Sequence, residues 1–527
     1  MRKFFGLLVI LVFWFSHLSA QNKLNHSDWK MTQAKMMTED NRFKDAIQIY
    51  SELYKDFSED AFLNYRLALC NFSINNFLEA LNFIKIAIKN CDENSLLNDF
   101  YFLSSKIHHR LNQFSEAKTM ISKISLDDDS DLFAEINFIL KQIDNAIKLS
   151  KTPLDLEPKN CGPLINSEFN EFYPVFSAQL NKIYFTSDRN YKQGQEINEI
   201  TKFYNYSVFE SLLNEKKEFA KPQIVDEIWA EGKNFILNSV SAGDQVYYLY
   251  KNTPALKDNG NIYTDTQDTE DDFTDAVLID GDSLNTRFYE ASASYDYLND
   301  KLYLVSNRKD RNKQNSSVFM SKMSKNKYSE PKIVNALSSD FNDNFIYVHP
   351  NQTFAVIASD NDKSMGGFDL FISINIKGKW SEPENMAYPF NSSGNETQFT
   401  LSNDGKTAYI ASDRAGGYGG YDIYEVDFEK YITEKLSYLP ALTYYKIGVF
   451  NDEAEEITEA IVKIKSKTKP KLNIKTQTNL EGYCYFNLTD NSDYIIEITA
   501  KNYQKLSVEL SPDTSGYVEK DFELIKK

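Results

Sequence analysis

Between residues 42 and 121, apolar side chains recur at helical spacing in three segments that share one frame. RFKDAIQIY (42–50), NFLEALNFI (76–84) and QFSEAKTMI (113–121) align at offsets of 34 and 37. Twelve residues before the alanine of each stands another small side chain: Ala34 before Ala46, Ala68 before Ala80, and Ser105 before Ala117. Small residues at these two places let paired helices approach closely, and a period in this range predicts stacked helix hairpins over residues 21–150. Phe43, Phe77 and Phe114 open the second helix of each hairpin. A further amphipathic helix, with Leu132, Ile136, Ile139, Ile143 and Ile147 on one face, follows the acidic LDDDSD and is expected to cap the stack.

From residue 154 the pattern changes to short apolar runs between turns. Five of them share a frame: KIYFTSDR (182–189), QVYYLYKN (245–252), KLYLVSNR (301–308), TFAVIASD (353–360) and TAYIASDR (407–414), at intervals of 63, 56, 53 and 53. In the last two copies a glycine turn and a further strand follow, ASDNDKSMGGFDLF and ASDRAGGYGGYDIY. A fourth segment recurs four times, as FAKPQIV (219–225), FTDAVLI (273–279), YSEPKIV (328–334) and WSEPENM (380–386). Four strands per repeat at about fifty residues is the signature of propeller blades. The fifth copy lacks its fourth strand after DIYEVDF. LEPKNCGPLINSEFNE (156–171) parallels YSEPKIVNALSSDFND, so the segment 156–165 is expected to supply that strand and close a five-bladed ring over 154–437 without exposed edges. From 443 to 527, strict alternation in KIGVF, AIVKIKS, GYCYFNL, DYIIEITA and KLSVEL predicts a small β-sandwich.

Two candidate sites follow. Counting back from the small residues, the concave face of the middle hairpin presents Phe62, Tyr65, Leu69 and Phe72, and its neighbours add Lys35, Lys106, His109 and Arg110. An apolar floor with basic flanks suits an acidic or amphipathic peptide, or else it packs on the next domain. His108-His109 is expected to face solvent. In the β repeats, sixteen residues before each aligned serine, stand Glu171, Glu290, Asp343 and Glu396, with Asn234 before Tyr250. These five are expected to ring one mouth of the propeller channel. They either form a cation or peptide-amine site, or pair with the strand-end Arg189, Arg308 and Arg414 or with turn amides.

Composition narrows the classes. Met1 to Ala20, with Arg2, Lys3 and an apolar run from Phe4 to Phe15, has the form of a secretory signal peptide. No cysteine follows it to take a lipid, and the apolar run is too short for a permanent span. The net charge of -18 becomes -20 without Arg2 and Lys3, which disfavours nucleic acid and anionic lipid surfaces. The acidic TQDTEDDFTD (266–275) is expected to be a solvated loop. Cys70, Cys91, Cys161 and Cys484 form no CxxC and are expected to be unpaired core thiols. GDSL (281–284) lacks the Asp-x-x-His partner that a GDSL hydrolase needs, and no GxSxG occurs, so catalysis, metals and cofactors are not expected. Asp282-Ser283-Leu284 also matches a short acceptor pattern for O-glycosylation.

The helical segments resemble the tetratricopeptide repeat. NSEFNEFYPVFSAQLNKIYFTSDRN resembles the TolB-type PD40 propeller repeat, and TQTNLEGYCYFNL followed by DYIIEITAKNY resembles the carboxypeptidase regulatory-like domain. In that order, behind a signal peptide, the segments resemble the PorE-type envelope proteins of Bacteroidetes, associated with type IX secretion and gliding. That resemblance implies a non-catalytic periplasmic scaffold, peripheral to the outer membrane, whose partners are envelope proteins. The alternative is a ligand- or carbohydrate-binding sensor propeller. The family's lipidated cysteine and OmpA-like domain are not matched, so peptidoglycan binding is not implied.

Overall fold

The structure is a computed structural model. It describes residues 27–125, 131–177, 182–191, 204–214, 218–225, 234–240, 246–252, 260–269, 272–273, 276–279, 284–296, 301–308, 315–324, 327–349, 352–402, 405–433, 442–467, 473–478, 481–489, 493–510 and 517–527. The leader segment 1–20 and residues 281–283 of GDSL lie outside these. The chain divides into two compact units, Met1–Asp144 and Asn145–Lys527.

The first unit is helical: α1 (27–39), α2 (Phe43–Tyr54), α3 (Ala61–Ser73), α4 (Phe77–Asn90), α5 (Asn94–Arg110), α6 (Phe114–Ile121) and the start of α7 (Asp131–Ser150). The six small residues of the repeat are all buried, and Ser105 donates its hydroxyl to Ala117 O at 2.9 Å, closing α5 on α6. The turns between paired helices repeat as well. Asn41, Asn75 and Asn112 have φ of 58°, 60° and 58°, and the residue after each donates its N–H back to Met37 O, Asn71 O and His108 O. This is a left-handed helix stop, a conformation asparagine tolerates because its short polar side chain can bond locally. The expectation for the histidines is corrected, because both are buried. His108 Nδ1 bonds Gln113 Oε1 at 2.6 Å, as Asn71 Oδ1 accepts from Asn76 one repeat earlier, and His109 lies 5.7 Å from the Phe114 ring.

The second unit is β-rich. Five antiparallel sheets among its described residues begin with Glu171–Phe176, Phe235–Val240, Glu290–Asp296, Asp343–Val348 and Glu396–Leu401. The first strand of each neighbours that of the next, and the first strand of the fifth sheet neighbours that of the first, so the five form a cycle. The fourth strands are two residues long: Gln223–Ile224, Val277–Leu278, Lys332–Ile333, Glu384–Asn385 and, for the fifth sheet, Lys159–Asn160. Lys159 and Asn160 pair with Glu425 and Tyr424, and Cys161 N donates to Ile423 O at 3.0 Å.

The closing segment reproduces the bonding of the fourth sheet. Asn160 donates to Asp422 and accepts from Asn166, as Asn385 donates to Asp369 and accepts from Asn391. The glycine pairs that echo 53 residues apart have a steric reason. A Cβ at Gly366 or Gly419 would overlap the carbonyl oxygen of Gly394 or Phe169, where the entrance to the next sheet crosses. The acidic stretch 266–275 differs from expectation. Its first residues extend the strand Gly260–Thr269, which pairs with Asp272–Phe273.

Residues 442–527 form two sheets around a core that includes Tyr445, Ile447, Val462, Ile464, Cys484, Phe486 and Ile496. One sheet holds a parallel pair, Leu442–Asn451 with Tyr517–Leu524. All four cysteines are free. Cys70 and Cys484 are buried, whereas Cys91 and Cys161 are only partly so, because Cys91 ends a helix and Cys161 lies beside the closing strand.

Candidate functional site

The carboxylates sit where the first strand of a sheet begins, opposite the serine that ends the second strand. Glu171 faces Ser187, Glu290 faces Ser306, Asp343 faces Ser359 and Glu396 faces Ser412. Three are fully buried and bonded in the same way. Glu396 Oε1 accepts from Ser412 Oγ at 2.6 Å, Ser392 Oγ at 2.7 Å and Arg414 Nη2 at 3.2 Å, while Oε2 accepts from Ser392 N at 2.8 Å. Glu171 has Ser187, Ser167 and Arg189 in these roles, and Glu290 has Ser306, Thr286 and Arg308. Each guanidinium also donates to the carbonyl 24 residues before it, Ile165 O, Leu284 O or Phe390 O. Each lies over an aromatic ring of the third strand, Phe209 at 5.1 Å, Phe319 at 5.3 Å and Tyr424 at 4.9 Å.

These glutamates therefore do not form a solvent-facing ring open to a cation. They are internal struts, because a carboxylate without water must find donors and a cation of its own. The middle of the cycle is filled as well. Tyr173 of the first sheet meets Phe345 of the fourth, within a core that includes Ile236, Tyr250 and Ala291 from the intervening sheets.

Asn234 is also corrected. The strand register places Ile236, not Asn234, opposite Tyr250. Asn234 Oδ1 instead accepts from Tyr206 N at 3.0 Å, in the preceding sheet. Asn170 and Asn395 make the same tether to Tyr421 N and Phe368 N. A second recurring device was not read from the sequence: the aspartate after the serine clamps that asparagine in two bonds. Asp188 holds Asn170, Asp360 holds Asn342 and Asp413 holds Asn395, all between 2.6 and 2.9 Å. Asparagine directly before each glutamate or aspartate, in NE, ND and NE at 170, 342 and 395, was the available signal.

Asp343 departs from its three counterparts. Its Oδ2 accepts from Ser339 N at 3.0 Å, but its buried Oδ1 has no hydrogen-bond partner. Burial pushes its carboxyl up to about 7, against the bond it accepts from Ser339 N. Asp369, buried beside Glu396, is raised to about 8 by burial first and by that neighbouring charge second.

The helical face is less open than its residues suggest. Tyr65 stacks on Phe100 with ring centroids 4.7 Å apart, and Leu69 and Phe72 pack on the same core. Lys106 lies over Phe102 and pairs with Glu135 at 3.6 Å, Arg110 lies over Phe77, and Lys35 pairs with Glu39 at 3.8 Å. His109 is buried and does not flank a groove. Phe62 remains exposed, under the Arg66 guanidinium at 4.7 Å.

No protein-family model matches the chain, and no curated protein matches it. Among solved structures, a protein described as a glycoside hydrolase is 8% identical, with 54% of this chain and 94% of that one covered at a TM-score of 0.37. The structure described as S.CueP is 12% identical, with 24% and 76% covered at a TM-score of 0.16. Wild-type catechol 1,2-dioxygenase of Acinetobacter radioresistens is 12% identical over 18% of this chain and 54% of that one, at a TM-score of 0.15. The chain thus spans little more than half of the dioxygenase. Likeness this slight carries no argument about activity.

Proposed function

We propose that the chain is a non-catalytic adaptor of the bacterial cell envelope. In this reading, tetratricopeptide-like hairpins and a five-bladed PD40-like propeller hold partner proteins in the periplasm, as in the PorE-type proteins it resembles. The cyclic neighbouring of five first strands, with Lys159–Asn160 joined to the last sheet, supports the propeller reading. The buried small-residue pairs and the three asparagine helix stops support the repeat reading. The carboxypeptidase regulatory-like assignment of 443–527 rests on its strand pattern.

One observation carries the adaptor reading. Of the thirteen large apolar side chains exposed among the described residues, six lie between 29 and 133: Trp29, Met36, Phe57, Phe62, Leu78 and Phe133. That share exceeds this unit's share of the chain, and it supports a protein-binding role for the helical unit. No helix among the described residues is long and apolar enough to cross a membrane. Crosslinking in cells followed by mass spectrometry tests the reading. Phe62→Ala and Leu78→Ala, made singly in chains that keep their helical circular dichroism, should each reduce capture of at least one partner. Unchanged capture by both would overturn the role of this face.

A further inference from the structure

In the fourth sheet the surroundings of the arginine seen in sheets one, three and five recur around Asp343, one methylene shorter than glutamate, but the arginine is absent. Asn361 stands two residues after Ser359, where Arg189, Arg308 and Arg414 follow Ser187, Ser306 and Ser412. Leu337 lies 24 residues before Asn361, the place of the carbonyls of Ile165, Leu284 and Phe390 that accept from those guanidinium groups. Phe371 occupies the place of Tyr424, the ring under Arg414. Asparagine is too short to reach these groups, and its side-chain oxygen instead accepts from Lys363 N at 2.8 Å.

A cavity of about 340 Å³ lies at this position, and Leu337, Asp343, Ser359, Asn361 and Phe371 all line it. Asp343 is 1% exposed and lines this cavity, and its buried Oδ1 has no hydrogen-bond partner. The rest of the lining includes Asp340, Asp362 and Glu382 against a single cation, Lys363, which is held by Glu382 at 2.5 Å on the surface. A buried carboxylate with one oxygen left without a donor, and with further carboxylates around it, favours a positively charged guest. The planar donor fork of a guanidinium is what the same receptor holds three times elsewhere in this unit.

We infer that the fourth sheet carries a binding site for an exogenous guanidinium, the arginine side chain of a partner protein, which docks between Asp343, Ser359, the Leu337 carbonyl and the Phe371 ring. The site itself stands on its own geometry. Only the source of the arginine rests on the adaptor reading.

Titration of the full exported chain with N-acetyl-argininamide, followed by calorimetry, tests the site. Saturable binding is expected, weakened at least tenfold in Asp343→Asn and abolished in Asn361→Arg. The Asn361→Arg side chain would occupy the receptor from within and should raise Tm, which also shows that the variant folds. N-acetyl-lysinamide should bind at least tenfold more weakly than the arginine analogue. No saturable binding to the wild type, equal binding to Asn361→Arg, or equal binding of the lysine analogue would each overturn the assignment. Binding of the small ligand together with unchanged partner capture by Asn361→Arg in cells would uphold the site and count against the adaptor role of this face.

Discussion

Tyr173 and Phe345 meet edge to face, with ring centroids 6.2 Å apart and planes at 69°, although they belong to sheets one and four, which are not neighbours in the cycle. The aromatic contact spans the middle of the ring of first strands, and both side chains are buried there. Phe345→Ala should leave a cavity beside Tyr173 and lower stability by about 3–5 kcal/mol. Urea unfolding of the second unit checks this, and an unchanged midpoint would remove the aromatic plug from the description.

Arg414 and Glu396 are closer to a strut than to a surface ion pair. Arg414→Ala leaves a buried carboxylate with two hydroxyl donors and one amide but no cation, and should cost about 3–5 kcal/mol. Adding Glu396→Gln should recover part of that loss. Because the pair is screened little, 1 M salt, with a Debye length of about 3 Å, should leave the difference nearly intact. A loss of under about 1 kcal/mol, of the size surface pairs give, would contradict the strut.

Asp369 sets a pH dependence whose sign is definite. Its folded carboxyl is raised to about 8 from an ordinary value near 3.8, so the native state binds the proton more tightly than the unfolded chain. The contribution is present in full below the unfolded value and is lost as pH rises towards the folded value. Asp343, raised to about 7, acts in the same sense. Wild-type urea midpoints should therefore carry a component that falls between about pH 4 and pH 8, and Asp369→Asn should flatten that slope. An identical slope in the variant would show that the proton is not held there.

The helix stops make a conformational prediction. Asn75 has φ of 60°, so Asn75→Gly should be tolerated, while Asn75→Val should cost about 1–2 kcal/mol for the left-handed backbone. Thermal melts followed at the helical circular dichroism band distinguish the two. Equal melts for Val and Gly would mean that the turn readily adopts another form.

Much of this architecture was legible in the residues because it is local and repeated. Ala34, Ala46, Ala68 and Ala80 recur in a helical frame, and each has to be small for a neighbouring helix to pass. The closing strand was legible for a similar reason: LEPKNCGPLINSEFNE copies a segment whose place inside another sheet was already implied, and Asn160 now bonds to Asp422 as Asn385 does to Asp369. The carboxylates were found by their spacing, yet spacing alone left open whether they faced a ligand or an arginine.

Tertiary structure decided that question, and it did so through burial. Whether Glu171 meets water depends on Ser167 and Arg189 converging on it from two segments, with Arg189 also held by Ile165 O, and no single periodicity encodes that convergence. Register had the same character. Phe235 opposes Lys251 as Glu171 opposes Ser187, one residue on from the frame that spacing gave, so Asn234 takes the place of Asn170 and tethers Tyr206. Asn361 reads in the sequence as an ordinary turn residue. Only the packed sheet shows that a cavity lined by Asp343 lies where the other sheets hold Arg189, Arg308 and Arg414, because a missing partner is defined by its surroundings.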